Sequence, residues 1–469
     1  MTPDQRWPVT PRLPLAALAI AGLFALPASP VAAHVRLERS VPAAGDTLRR
    51  APAELRLVFS EPVVPRYTSL TLISPAGKTV ALPDLRAASG NRQVFIPRPG
   101  LALAGDYRLE WRAVAGDGHV VTGAFQFTLL SEAVVPAGAA AAAEARAAQA
   151  RRDSMRQRLE RHRVNPGSLP APLRPASAPN GAARLLQFAA ILALIGAAVF
   201  RGLLLPGAGL MPTVHYRVSV AIRRFAGLAL LLLLLTLPLR LWLESAALHG
   251  PELALQPTLI GNLITSLPWG QAWAAQVLAA LLAAIGILTG FTPLLASAAL
   301  GLAFTLPFQG HANAVEPLRA LAIAADGIHV LAAGAWIGTL AVLFTTVLPT
   351  LFRDGLERGG HDTARVLERF SPLALTAAVL LAVAGTISAA LHFHSLAELA
   401  TTAYGRVLLI KLVLVLLVLA SGWYNWQRAR PHLPLHSGVR ALRRGALGEL
   451  LFATAALAVT AFLVALPTP

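Results

Sequence analysis

The sequence predicts a multidomain chain of two unlike parts: an exported all-β sandwich of Ig-like, Greek-key type, then an all-α polytopic membrane bundle of about eight transmembrane helices. Three observations carry that expectation. Short runs of alternating apolar and polar residues fill positions 34 to 130, and long uninterrupted apolar runs fill the chain after Arg184. The composition, 55% hydrophobic and 13% charged over 469 residues, is too apolar for an ordinary soluble protein.

Residues 1–33 read as a cleaved secretory signal. Arg6 and Arg12 make a basic start, Leu13 to Leu26 an apolar core interrupted by Pro14, and Val31-Ala32-Ala33 a small-residue cleavage site. An uncleaved anchor is the alternative, but the apolar run is short for a span and Pro27 ends it. Cleavage after Ala33 turns His34 into an amino terminus.

From 34 to 130, runs such as "ELRLVFS", "SLTLIS", "YRLEWRAVA" and "GAFQFTLL" are separated by Pro, Gly, Asn and Asp, as in a small antiparallel sandwich. Residues 131–183 follow with an Ala- and Arg-rich stretch and then "NPGSLPAPLRPASAPN", which reads as a solvated helix and a Pro-rich linker.

The membrane domain, 184–469, holds eight apolar spans, at about 184–205, 218–243, 268–290, 292–308, 320–348, 371–392, 405–426 and 446–466. With the β domain exported, the loops after spans 1, 3, 5 and 7 face the cytoplasm. Charge agrees: Arg217, Arg223 and Arg224 follow span 1; Arg353, Arg358, Arg365 and Arg369 follow span 5; Arg428, Arg430, Arg440, Arg443 and Arg444 follow span 7. The outward loops hold little beyond Arg319 and Arg406. Trp242, Trp269 and Trp273 fall near the expected outer interface, Trp423 and Trp426 near the inner one. The expected location is therefore a bacterial cytoplasmic membrane, with the β domain periplasmic or extracellular and the lipid bilayer as a partner.

Composition also excludes some chemistries. With no cysteine there are no disulfides, thiolate sites or cysteine nucleophiles. The formal charge of +17 follows membrane topology, since the arginines cluster beside apolar spans and not in aromatic-interleaved patches; no nucleic acid is expected. No G-x-x-x-x-G-K-[ST] run cradles a nucleotide.

A histidine at a free amino terminus offers its α-amine and its imidazole Nδ1 to one metal, a pairing that suits Cu(II) in a tetragonal site. Asp117 and His119 in "AGDGHVV" are two apart, so on an extended strand they share a face and complete an N,N,N,O set. Alone, Asp-Gly-His reads as a polar hairpin turn. A processed His34 tips the balance to a metal site.

These residues carry a resemblance. "HVRLERSVPAAGDTLRRAPAELRLVFSEPV" and "YRLEWRAVAGDGHVVTGAFQFTL" resemble the CopC family of periplasmic copper-binding proteins in their mature amino-terminal histidine and their P-x-x-G, F-S-E-P-V and D-G-H signatures. The resemblance covers 34–130 and implies that His34, Asp117 and His119 bind Cu(II), with no catalysis. Some members add a Met-rich Cu(I) site; here only Met155 and Met211 remain after the signal, neither in the β domain. Oxidative copper enzymes share the amino-terminal chelate, but Asp117 would fill the position that oxygen needs.

In the bundle, His249, His311, His392 and His394 sort to the outward half, and His215, His361, His432 and His436 to the inward half. His329 alone lies deep in a span, and shares a helix face with Asp326 three residues earlier. An ionisable group at that depth costs on the order of 2.5–3.5 kcal/mol unless paired or hydrated, so it points to function. The alternative is a packing histidine with a local hydrogen bond. Lys411 is expected to snorkel toward headgroups, and Glu449 to pair with Arg443 or Arg444.

"DGIHVLAAGAWIGTL", "RFSPLAL", "YGRVLLIKLVLVLLVLASGWYNWQ", "LRRGALGE" and "ALPTP" resemble the CopD family of inner-membrane copper proteins over most of 184–469. A CopC–CopD fusion implies capture of Cu(II), exchange with other copper carriers, and import through a path for which His311, Asp326, His329, His392 and His394 are the candidates. A copper-sequestering resistance protein and a haem-binding electron-transfer bundle are the rival readings.

Overall fold

The computed structural model describes residues 37–88, 90–101, 103–114, 120–130, 177–315, 318–393, 395–428 and 436–466. Two sheets face each other in the β domain. One has the order β1-β3-β7-β6, from β1 (Leu37–Val41), β3 (Glu54–Phe59), β6 (Arg86–Ala88) and β7 (Gln93–Pro97). The other runs β2-β9-β8-β4-β5, from β2 (Thr47–Leu48), β4 (Ser69–Ile73), β5 (Thr79–Val80), β8 (Gly105–Val114) and β9 (Val120–Leu129).

Period-two alternation builds its core. In "ELRLVF" every second side chain, Leu55, Leu57 and Phe59, is fully buried, and they meet Leu72, Leu109 and Phe127 from the opposite sheet. Tyr107 buries its ring against Phe127 while its hydroxyl donates to the Leu103 carbonyl at 2.8 Å, closing the loop before β8. Trp111 lies across its strand partner Gly123: a Cβ on that glycine would stand 2.5 Å from Trp111 Cζ2. Any side chain there would force the indole to shift.

Among the described residues eight helices are long and apolar enough to cross a membrane: α1 (Ala178–Leu204), α2 (Pro212–His249), α4 (Pro268–Thr289), α5 (Thr292–Gln309), α6 (Arg319–Leu351), α7 (Leu356–His392), α8 (Ala403–Arg428) and α9 (His436–Leu463). These are the eight expected spans. A short helix not anticipated, α3 (Pro257–Ser266), lies between α2 and α4, each of the last two opened by a proline.

The bundle is knit at its centre by small residues. Gly196 of α1 and Gly338 of α6 let the two backbones touch, for a Cβ on Gly196 would sit 2.0 Å from the Gly338 carbonyl carbon. At this crossing α6 widens into a π-helical turn over Gly334–Gly338 and again over Leu343–Val347. Polar side chains bond between spans instead of facing lipid: Gln187 donates to Gln276 at 2.9 Å, and Arg201 donates to the Gly290 carbonyl at the end of α4.

The β domain sits on the bundle. Val114, Val64 and Tyr67 pack with Leu248 of α2, Leu263 of α3, Leu267 between α3 and α4, and Trp269 of α4. Around that apolar patch, Arg66 donates to Asn262 Oδ1 at 2.8 Å and to Ser266 Oγ at 3.2 Å, and Arg112 donates to the Leu248 carbonyl at 3.1 Å. The last is a cation at the carboxyl end of α2, where the helix dipole favours it. Trp269, expected at a lipid interface, is instead 2% exposed beneath this seat, where Arg240 stacks over its ring.

Candidate functional site

The frame around the first candidate site is the bundle-facing end of the sandwich. His34, Asp117 and His119 lie outside the described residues, but the strands that lead to them do not. Leu37, three residues after His34, pairs with Phe59 at the end of β3, whose ring meets Trp111 edge-on at 5.3 Å. Val114 pairs with Val120, so residues 115–119 join β8 to β9. The Val64 amide donates to the Val114 carbonyl at 2.7 Å, tying the segment after β3 to the end of β8. The start of β1 and the β8–β9 connection therefore leave from one end of the domain.

This same end is the one seated on α2–α4, through Val114. At the seat stands His249, the last residue of α2, its ring 6.2 Å from that of Tyr67. Its Nδ1 lies 3.4 Å from Ser245 Oγ, and its Nε2 is buried with no partner. Burial holds the Tyr67 phenol above its ordinary range, opposed by the nearby Arg66 charge, so the hydroxyl stays protonated at neutral pH. Sequence sorting put His249 on the right side of the bundle but gave no reason to choose it; proximity across more than a hundred positions leaves no periodic signal.

The second candidate site lies where α5, α6, α7 and α8 meet near the same side. His311 opens the turn after α5 and is 9% exposed. Its ring packs edge-on against His392, at the end of α7, at 6.2 Å and against Tyr404, at the start of α8, at 5.9 Å. His392 Nδ1 is 2.6 Å from the Ser388 carbonyl. A carbonyl only accepts, so Nδ1 carries the hydrogen and Nε2 keeps its lone pair. That Nε2 is buried without a partner. A ring oriented by a backbone carbonyl with its other nitrogen presented is the usual arrangement of a metal-ligating imidazole.

Asp326 of α6 lies in charge range of His311 and of Lys411, and Tyr404 in charge range of Asp326. His329, one helical turn deeper, meets the Leu381 backbone of α7 and packs over Gly385, where a Cβ would be 3.4 Å away; its Nδ1 has no partner. The structure thus brings His311, His392 and Tyr404 together, with Asp326 within electrostatic range of His311 and His329 one turn further along α6. His394 lies outside the described residues. Among the described residues no three His, Asp or Glu side chains already converge as a metal cage.

Tyr404 and Lys411 were not chosen from sequence as site residues. The signal was there: they are seven apart in Y-G-R-x-L-L-x-K, hence on one face of α8. Lys411, expected to snorkel toward headgroups, is half-buried within electrostatic range of Asp326. Glu449 takes its hydrogen bond from Asn425, and the described Arg444 is exposed.

Known proteins match along most of the chain. Residues 37–130 match the CopC domain, residues 176–321 the Copper resistance protein D-like N-terminal domain, and residues 364–463 Copper resistance protein D. The chain is 26% identical over 403 residues to the Copper transport protein CutJ of Bacillus subtilis, covering 83% of this chain and 67% of that protein. It is 37% identical over 105 residues to Copper resistance protein C of Escherichia coli, 21% of this chain and 82% of that one. Among solved structures, CopC from Methylosinus trichosporium OB3b matches at 30% identity over 21% of this chain and 94% of its own, with a TM-score of 0.20.

Proposed function

The chain belongs to the family of CopC–CopD fusions, and from that premise we propose that it acquires copper: the β domain captures Cu(II) outside the cytoplasm and hands it to the bundle, which imports it. The β domain lies on the periplasmic or extracellular side, and the bundle spans the cytoplasmic membrane. His34, Asp117 and His119 hold the ion first, the amine and imidazole of His34 supplying two nitrogens. Copper is cargo throughout, and no catalytic step is assigned.

The observation that supports transfer, as opposed to storage, is the seat. Val114, three residues before Asp117, is fully buried against Leu248, Leu263 and Trp269 of the bundle. A storage domain gains nothing from turning its metal-bearing end toward the membrane. A donor does, since ligand exchange needs donor and acceptor groups within a few ångströms of one ion.

The acceptors favour copper by type. His311 and His392 are imidazoles, with His392 Nε2 held ready, and Asp326 adds charge to offset a cation taken out of water. Arg66→Glu tests the reading by loosening the seat through Asn262 and Ser266. The proposal expects Cu(II) affinity of the β domain unchanged and copper uptake into vesicles reduced. Undiminished uptake would favour sequestration, with entry by another route.

A further inference from the structure

On the side of the bundle away from the β domain, a cavity of about 520 Å³ opens between α7 and α8. That is in the range of about 300–1,000 Å³ that holds one compact ligand. Its opening is lateral: the rim residues Leu375, Leu419 and Trp423 are 69%, 41% and 66% exposed, on apolar faces of helices long enough to cross a membrane. α7 packs on α6 and α8 on α9, which leaves the gap between them.

The walls are aromatic and apolar, with Trp336, Phe344, Phe370 and Trp423 among them. At one end stand two acceptors. Glu449 is 5% exposed and Asn425 8% exposed; Asn425 Nδ2 donates to Glu449 Oε1, while Asn425 Oδ1 has no partner. No described cation forms an ion pair with Glu449. Gly422 keeps the space beside the carboxyl open, for even an added Cβ would stay 3.7 Å from it.

A buried carboxyl with no cation beside it among the described residues is costly, and apolar walls with one acid are the complement of one kind of molecule. Aromatic faces attract an ammonium through their quadrupoles, and a carboxylate accepts its N–H bonds. We propose that this crevice binds an alkylammonium amphiphile from the bilayer, its cationic head on Glu449 among the aromatic rings and its chain along Leu375 and Leu419. A neutral lipophile would fill the walls and leave Glu449 as it is.

Because the chain has no cysteine, a single Ser371→Cys substitution reports on the cavity, which Ser371 lines. The full chain in maltoside micelles is labelled with a membrane-permeant maleimide, alone or with dodecylammonium or dodecanol. Dodecylammonium should slow labelling several-fold and saturably, dodecanol should not, and Glu449→Gln should abolish the protection. Equal protection by dodecanol, protection that survives Glu449→Gln, or a Ser371→Cys chain that never reacts would overturn the proposal. Nanodiscs of phosphatidylglycerol with or without phosphatidylethanolamine identify the source. Slowing by phosphatidylethanolamine makes a lipid the occupant, and slowing only by added amine makes it a free lipophilic amine. No slowing by either counts against any ammonium site.

Discussion

Arg66 of the β domain donates a 2.8 Å hydrogen bond to Asn262 of the bundle, 196 positions away. With Arg112 on the Leu248 carbonyl, it flanks the patch where Val114 meets Leu263 and Trp269. One end of the sandwich thereby carries the segments leading to His34, Asp117 and His119 and also the contacts to the membrane domain.

If copper crosses this seat, His249 is the first bundle imidazole it meets. His249→Ala should leave Cu(II) affinity of the β domain unchanged and slow uptake, with His249→Gln no better, because an amide lacks the imidazole lone pair. Equal uptake by parent and variant would remove His249 from the route.

The Nδ1–H bond to the Ser388 carbonyl fixes the His392 ring with Nε2 unprotonated, as a metal ligand would need. Replacing His392 with alanine should lower copper uptake by about tenfold or more, as loss of an oriented ligand does. His311→Ala should do the same, and the double variant little worse, since one site is being removed twice. Additive losses would place the two histidines on separate paths.

Processing should create the first site. A chain with one residue added before His34 keeps the imidazole but moves the α-amine, so its Cu(II) affinity should fall while its fold stays intact. Both donors must shed protons to bind, so affinity in the parent should also fall as pH drops below the imidazole range near pH 6.5. Equal affinity of the two chains would exclude the amine as a ligand.

Gly123 under Trp111 gives a prediction for the fold. Gly123→Val must displace the indole from a contact closer than van der Waals distance, and should destabilise the β domain by about 1–3 kcal/mol. Thermal unfolding followed by tryptophan fluorescence measures it.

The eight spans and the sandwich were legible because each rests on local pattern: a span needs only a long apolar run, and Leu55, Leu57 and Phe59 alternate within six residues. The helix α3 was not, being ten residues long and set between two prolines. The candidate copper ligands of the β domain, His34, Asp117 and His119, follow from residue chemistry and family likeness, and lie outside the described residues. What local pattern does not carry is docking. Trp269 reads as an interfacial tryptophan until Val114 is seated on it, and His249 as one of four outward histidines until Tyr67 packs beside it. Glu449, expected to pair with Arg443 or Arg444, takes a hydrogen bond from Asn425 of the neighbouring helix, a partner that local pattern gave no reason to choose.

The most direct test of delivery is a single turnover. Vesicles bearing the full chain with the β domain outward are loaded with one equivalent of Cu(II), and free copper is removed with an impermeant chelator. Copper in the lumen is then counted over time. Bound copper should pass inside in the parent chain and remain on the β domain in His392→Ala. Copper that stays outside in both, or enters equally in both, would contradict the account.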